Sequence, residues 1–214
     1  MTRLHLIRHG ETAWNAEGRV QGQTDASLNN TGREQASALK HDLTDIPIAR
    51  VYVSSSVRAR DTAALALGHL PVEFIYLDVL REIYLADWEG QLYSEVEIIH
   101  PKDVYHFRNA PHQFNYPGAE TFLQLQERGL AAVRDILKQS QGLDVAIVSH
   151  GAWIKAVLSH YEGRPLNQFW EPPRMHNCSH SILEIAPGSD QPQITQYAGH
   201  PYGGDTQGFT ISRD

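Results

Sequence analysis

Short apolar runs, each closed by a turn residue, alternate along this chain with longer stretches in which apolar side chains recur every three or four positions. The first pattern marks strands covered on both faces, the second helices with one buried face. Residues 3–7 read as a buried strand that empties into Arg8-His9-Gly10. Thr31-Gly32-Arg33-Glu34 has the form of a capping box and predicts a helix to about Leu43, with Ala36, Leu39 and Leu43 on its apolar face. Arg50–Val53 reads as a second strand, broken by three serines before a helix from Val57 to Gly68, and residues 72–77 read as a short third strand. A long helix opens at Gly118–Thr121 and runs to about Ser140. Asp144–Val148 is again a strongly apolar strand; it ends in Ser149-His150-Gly151, and a helix follows from Ala152 to about Tyr161. Ser181–Ile185 and Gln193–Tyr197 close the pattern as strands.

Alternation of this kind predicts an α/β layered fold with a largely parallel sheet. Between residues 87 and 117 the periodicity weakens, and Pro101, Pro111 and Pro117 interrupt it. No linker flanks this stretch, so it reads as an insertion of short helices within a single domain spanning residues 1–214. Its aromatics Tyr105, Phe107, Phe114 and Tyr116 read first as packing residues and second as a cover that selects substrate. The tail beyond His200, rich in glycine and polar residues, reads as mobile.

Composition narrows the partners. The chain has 214 residues, 41% hydrophobic and 20% charged, an ordinary balance for a globular domain with room for a core. A formal charge of -7 speaks against nucleic-acid and membrane partners, so any anion pocket must be a local concentration of Arg and His. No apolar run reaches the roughly 18 residues of a membrane helix, and no leader segment is expected ahead of the first strand. The single cysteine, Cys178, excludes an internal disulfide; it reads as a small buried apolar residue in a reducing, cytoplasmic setting. The histidines include the near pairs His106/His112 and His176/His180 but show no metal-binding spacing, and neither a metal nor another cofactor is expected.

Arg8 and His9 stand where the first strand ends, and ligands of open α/β sheets sit at the carboxyl ends of strands. A guanidinium offers a planar fork to phosphate oxygens. An imidazole that is neutral near physiological pH is a nucleophile. His150 repeats the strand–His-Gly punctuation at the start of a helix, whose first amides and dipole favour an anion. For each histidine, a structural role at a strand end is the plain alternative.

Arg8-His9-Gly10-Glu11-Thr12, followed by Asn15 and Gln21-Gly22, resembles the signature of the histidine phosphatase superfamily, which includes cofactor-dependent phosphoglycerate mutases and many small phosphatases. Ser54–Ala63, containing Arg58, resembles the family's Ser-x-x-x-Arg-Ala-x-x-Thr-Ala segment. Leu80–Gly90 resembles its Leu-x-Glu-x-x-x-Gly-x-Trp-Glu-Gly, with Ala86 in place of the first glycine, and Val148–Gly151 matches a further segment. The likeness runs from Arg3 to about Ile185. It implies a three-layer α/β/α sandwich of the phosphoglycerate mutase type and a phosphomonoesterase. His9 would attack phosphorus, Arg8, Arg58 and a protonated His150 would hold the phosphoryl group, and Glu82 would protonate the leaving oxygen, its pKa raised by an apolar wall such as Trp88. Asn15, Gln21 and Gly22, with Asn177, would line the phosphate pocket; Glu11 would orient an arginine, and Thr12 would cap a short helix. Arg60 competes with Arg58, and Asp87 and Glu89 compete with Glu82.

Within the superfamily, the length and Tyr84–Glu89 are most similar to α-ribazole-5'-phosphate phosphatases, implying a small phosphorylated metabolite of cobalamin synthesis as the partner. A phosphoglycerate mutase-type isomerase is the first alternative, disfavoured because residues 93–117 offer only Lys102 and Arg108 as extra cations. A non-catalytic phospho-ligand binding protein is the second. A homodimer is compatible with all three.

Overall fold

Apolar side chains alternate across the two faces of each central strand, and this sets the layers. The computed structural model describes residues 1–189 and 191–203; the tail expected to be mobile falls mostly outside them. Among the described residues the strands are β1 (Thr2–Arg8), β2 (Ile48–Ser54), β3 (Glu73–Leu77), β4 (Asp144–Ser149), β5 (His180–Ile185), β6 (Gln193–Tyr197) and β7 (His200–Pro201). They form one sheet in the order β3-β2-β4-β1-β5-β6-β7. The β3, β2, β4 and β1 strands run parallel, and β5, β6 and β7 extend the sheet antiparallel.

The helices are α1 (Ala13–Glu17), α2 (Asn30–Leu43), α3 (Val57–Leu67), α4 (Tyr93–Ile99), α5 (Pro101–Asn109), α6 (Phe122–Gln139) and α7 (Gly151–Glu162). On one face of the sheet Val51, Val53, Ala146 and Val148 meet the paired helices α2 and α3. On the other, Leu4, Leu6, Val145 and Ile147 meet α6 and α7. This is the three-layer α/β/α sandwich, its parallel strands at the centre. Each fully buried aliphatic side chain contributes roughly 1.5–3 kcal/mol, so the two clusters are what holds the sheet between its helices.

The start of α2 corrects the sequence reading. Asn29, not Thr31, is the cap: its side chain accepts from the Gly32 amide at 2.8 Å. Gly32 is backed against the turn after β1, where a Cβ would overlap the Glu11 carbonyl oxygen, and a Cβ on Gly10 would lie 2.5 Å from the Gly32 carbonyl oxygen. Close backbone contact thus clamps the Gly10-Glu11 turn onto α2.

The stretch from residue 87 to 117 is an excursion built on Trp88, α4 and α5. Trp88 is fully buried, with ring centroids 6.0 Å from Phe107 and 5.5 Å from Phe114. Phe107 and Phe114 also touch Phe122 of α6, so the excursion shares the main core. No helix among the described residues is long and apolar enough to cross a membrane.

Candidate active site

Parallel pairing of β1 with β4 sets Arg8 opposite Ser149, so the next residues, His9 and His150, leave the sheet side by side. Their ring centroids are 5.2 Å apart. The His9 Nδ1 lies 2.7 Å from the Gly10 carbonyl oxygen. A carbonyl only accepts, so the proton sits on Nδ1 and Nε2 keeps its lone pair. Burial, reinforced by Arg58 and Arg8, holds the His9 pKa well below the usual range, and the ring is neutral.

Two guanidinium groups neighbour this ring, that of Arg58 buried and that of Arg8 partly buried. Arg58, 1% exposed, donates from Nη1 to the Thr24 carbonyl at 2.9 Å and from Nη2 to the Gly22 carbonyl at 2.6 Å. Burial lowers its pKa to about 10, which leaves it a cation at neutral pH. Arg8 donates from Nη1 to the Met175 carbonyl at 2.5 Å. The Nε of each is buried with no partner among the described residues, a donor held ready for an anion. Arg60 lies exposed, 5.2 Å over the Tyr76 ring, away from the cavity.

The loop that presents the Gly22 carbonyl is fastened by Glu89. Its carboxylate accepts from the amides of Gln23 (2.8 Å), Thr24 (2.9 Å) and Leu85 (3.0 Å). It also occupies the space a Cβ on Gly22 would need, at a φ of +51°. Glu89 is therefore a brace, and Asp87 is exposed; neither lines the cavity.

Glu82 does line it, together with Arg8, His9 and Arg58. Its Oε1 accepts from the amides of Ile83 and Trp153, each at 3.0 Å, and its Oε2 accepts from Ala152 at 3.1 Å. Two first-turn amides of α7 are thus spent on Glu82, where the sequence reading had aimed them at the substrate. Trp88, expected as an apolar wall beside Glu82, does not line the cavity.

His150 differs from expectation in charge state. It is fully buried, and Nε2 contacts the Ser54 hydroxyl at 2.8 Å while Nδ1 has no partner among the described residues. Burial and Arg58 push its pKa well down, so the ring is neutral where a protonated one was expected.

Asn15, Gln21 and Gly22 line the cavity. Asn177 does not: its amide donates to the His9 carbonyl at 3.1 Å and braces the backbone of that residue. Glu11 accepts from the Asn29 side chain at 2.7 Å and orients no arginine among the described residues. Thr12 caps α1 through the Asn15 amide. Cys178 is partly buried, which pushes its thiol up to about 12. Among the described residues no group of three or more His, Cys, Asp or Glu could hold a metal ion.

The cavity measures about 380 Å³. Tyr93, Phe107 and Trp170 give it an aromatic wall, and Arg19, Lys155 and Arg174 bring in cations absent from the sequence reading. Lys155 could have been found, since it follows Gly151 by four positions and so shares its helix face. Arg19 and Arg174 sit in irregular segments that carry no periodic signal.

The chain belongs to the histidine phosphatase superfamily (branch 1), whose family model matches residues 4–197. A metal-independent phosphoserine phosphatase of Arabidopsis thaliana is 35% identical over 161 residues, covering 73% of this chain and 67% of that protein. The solved structure of Bacillus stearothermophilus YhfR is 36% identical with a TM-score of 0.89, covering 92% of this chain and 97% of that one. An α-ribazole phosphatase of Shigella flexneri, 24% identical with a TM-score of 0.79 over 94% of this chain and 100% of its own, shares the fold.

Proposed function

We propose that this protein is a metal-independent phosphomonoesterase working through a phosphohistidine. The observation that carries this reading is the lone pair on the His9 Nε2, left free by the Gly10 contact, beside the Arg8 and Arg58 guanidinium groups. In the first step that nitrogen bonds to phosphorus, the ester P–O bond breaks, and Glu82 hands a proton to the departing oxygen. We assign the proton to Oε2, which accepts one amide where Oε1 accepts two. Arg8 and Arg58 hold the equatorial oxygens, and the His150 Nδ1 adds a donor when Nε2 accepts from Ser54. Water then attacks phosphorus, its proton passes to Glu82, the P–N bond breaks and phosphate leaves. Residues 87–117 cover the substrate in this reading, through Tyr93 and Phe107.

His9→Ala is expected to lower turnover by a factor on the order of 10⁴ or more, and Glu82→Gln by about 10²–10⁴. Phosphate release in the presence of a chelator, with rapid-quench trapping of phospho-His9, tests both. Undiminished turnover in His9→Ala sinks the mechanism. Because the fold holds the His9 pKa below 6.5, the limb of kcat/KM that reports its protonation is expected well on the acid side of that value.

For the organic half of the substrate, α-ribazole 5'-phosphate is one candidate, since Tyr93, Phe107 and Trp170 offer flat faces to a benzimidazole ring. The isomerase reading draws on Arg19, Lys155 and Arg174, which supply the cations that residues 93–117 lack. Interconversion of 2- and 3-phosphoglycerate faster than their hydrolysis would establish it.

A further inference from the structure

Lys155 is an ammonium held inside the fold, 2% exposed and one turn beyond Gly151 on α7. Its hydrogen-bond partners among the described residues are two backbone carbonyls, Glu171 at 2.6 Å and Pro173 at 2.8 Å. A charge taken out of water without a bonded counter-charge costs stability, so what those carbonyls lead to matters. The segment that carries them continues into the site. The Met175 carbonyl accepts from the Arg8 Nη1 at 2.5 Å. The Asn177 side chain and the Cys178 amide donate to the His9 carbonyl at 3.1 and 3.2 Å, and the Arg8 amide donates to the Ser179 carbonyl at 3.0 Å. Residues 175–179 therefore grip the Arg8 guanidinium and the His9 backbone, while residues 171–173 are fastened from behind by Lys155. Arg164 ties the same stretch through the carbonyls of Glu171 and Pro172, both at 2.8 Å. Arg8 also packs on the first turn of α7, where a Cβ on Gly151 would lie 3.3 Å from its Nε. Four positions on, Lys155 shares that helix face and joins it to the segment bearing Met175.

We propose that Lys155 is a positioning residue for the phosphoryl clamp: it holds residues 171–175 so that the Met175 carbonyl keeps the Arg8 guanidinium turned toward the phosphoryl oxygens. This rests on the phosphomonoesterase reading of the same site. Lys155 acts through Arg8 and does not itself meet the phosphoryl group. Its bonds are strong because the donor is charged, and that charge is sensitive to pH. Glu162 and Arg164 at the end of α7, the Glu171 side chain and the Tyr197 ring of β6, 5.7 Å away, face the ammonium. Glu162 is engaged by Arg164 at 2.7 Å on each oxygen and by the Tyr202 hydroxyl. Burial, and after it Arg164, lowers the Lys155 pKa to about 8, whereas Arg58 keeps its proton to about 10. As pH rises through the lower value, the ammonium becomes an amine, its hold on the two carbonyls weakens, and Arg8 loses its fixed direction.

The probe is tungstate, a dianion throughout the neutral and mildly alkaline range, titrated calorimetrically against the full chain. At neutral pH, Lys155→Met is expected to weaken tungstate binding by about tenfold, the scale of a lost hydrogen bond to a charged group. In an Arg8→Met background the same substitution should change binding little, because the group through which Lys155 acts is gone. Losses that multiply in the double variant overturn the proposal, since a lysine that meets the anion directly, or that only supports the fold, acts independently of Arg8. The wild type supplies a second reading that needs no Lys155 variant, should Lys155→Met not fold. Its tungstate affinity is expected to fall on the alkaline side with a midpoint near pH 8, and Arg8→Met should lack that limb. A limb absent from the wild type, or one retained in Arg8→Met, overturns the proposal. Phosphate release is followed beside binding. A wild type that hydrolyses no monoester but shows the coupling contradicts the hydrolase reading alone, and one that binds no tungstate overturns both.

Discussion

Ala86 holds a backbone conformation that ordinary residues avoid, with φ at +54°. Glycine, the family's residue there, adopts this conformation freely, so the turn before Trp88 keeps its shape while carrying a strained alanine. The left-handed region costs a non-glycine residue about 1–2 kcal/mol, and glycine loses about 0.4–1 kcal/mol more through the unfolded chain. Ala86→Gly is therefore expected to stabilise the protein by up to about 1 kcal/mol, seen as a higher urea midpoint at unchanged m-value. At this scale the candidate cluster was legible because a motif ties residue type to position, and His9, Arg8, Arg58, Glu82 and His150 lie together at one end of the sheet. Charge state was not legible. Whether His150 is protonated depends on burial and on Arg58, which arrive through the fold and leave no local mark in the sequence.

Among the elements, β1 and β5 carry a histidine pair that the site does not use. The His5 Nδ1 meets the His180 Nε2 at 3.0 Å, and burial lowers both pKa values to about 4. Between pH 4 and pH 6.5 the unfolded chain binds more protons at these rings than the folded one, so stability falls as the medium is acidified through that window. Urea midpoints from pH 7 down to pH 4.5 should decline in the wild type and decline less in the double variant His5→Asn/His180→Asn; equal slopes would show that the pair carries none of the effect. Element positions were largely readable from apolar periodicity, because β1 and β4 are covered on both faces and α6 has one clean apolar stripe. The cap of α2 was misplaced by two residues, since Asn29 and Thr31 have equivalent capping chemistry and only the contact of Gly32 with the β1 turn chooses between them. The wall of the cavity was less readable. Trp170, Arg19 and Arg174 reach it from segments whose path is dictated by distant partners, such as the Lys155 ammonium on the Glu171 and Pro173 carbonyls.

For the molecule as a whole, the three-layer architecture followed from the alternation of strands and helices, while the antiparallel extension through β5, β6 and β7 had no signature beyond closing strands. Strand β1 comes from the start of the chain and β4 from its last third, and they lie hydrogen-bonded side by side. Pairing so remote in sequence is slow to form, because the intervening chain must be ordered first. The His9 and His150 rings consequently meet only when that one seam zips. During refolding from denaturant, enzymatic competence should return no sooner than amide-exchange protection of β4, and recovery of phosphate release ahead of it would contradict the pairing. A chain that ends after α3, or even after α6, has helices and hydrophobic surface but lacks β4, and with it the pairing that sets His150 beside His9.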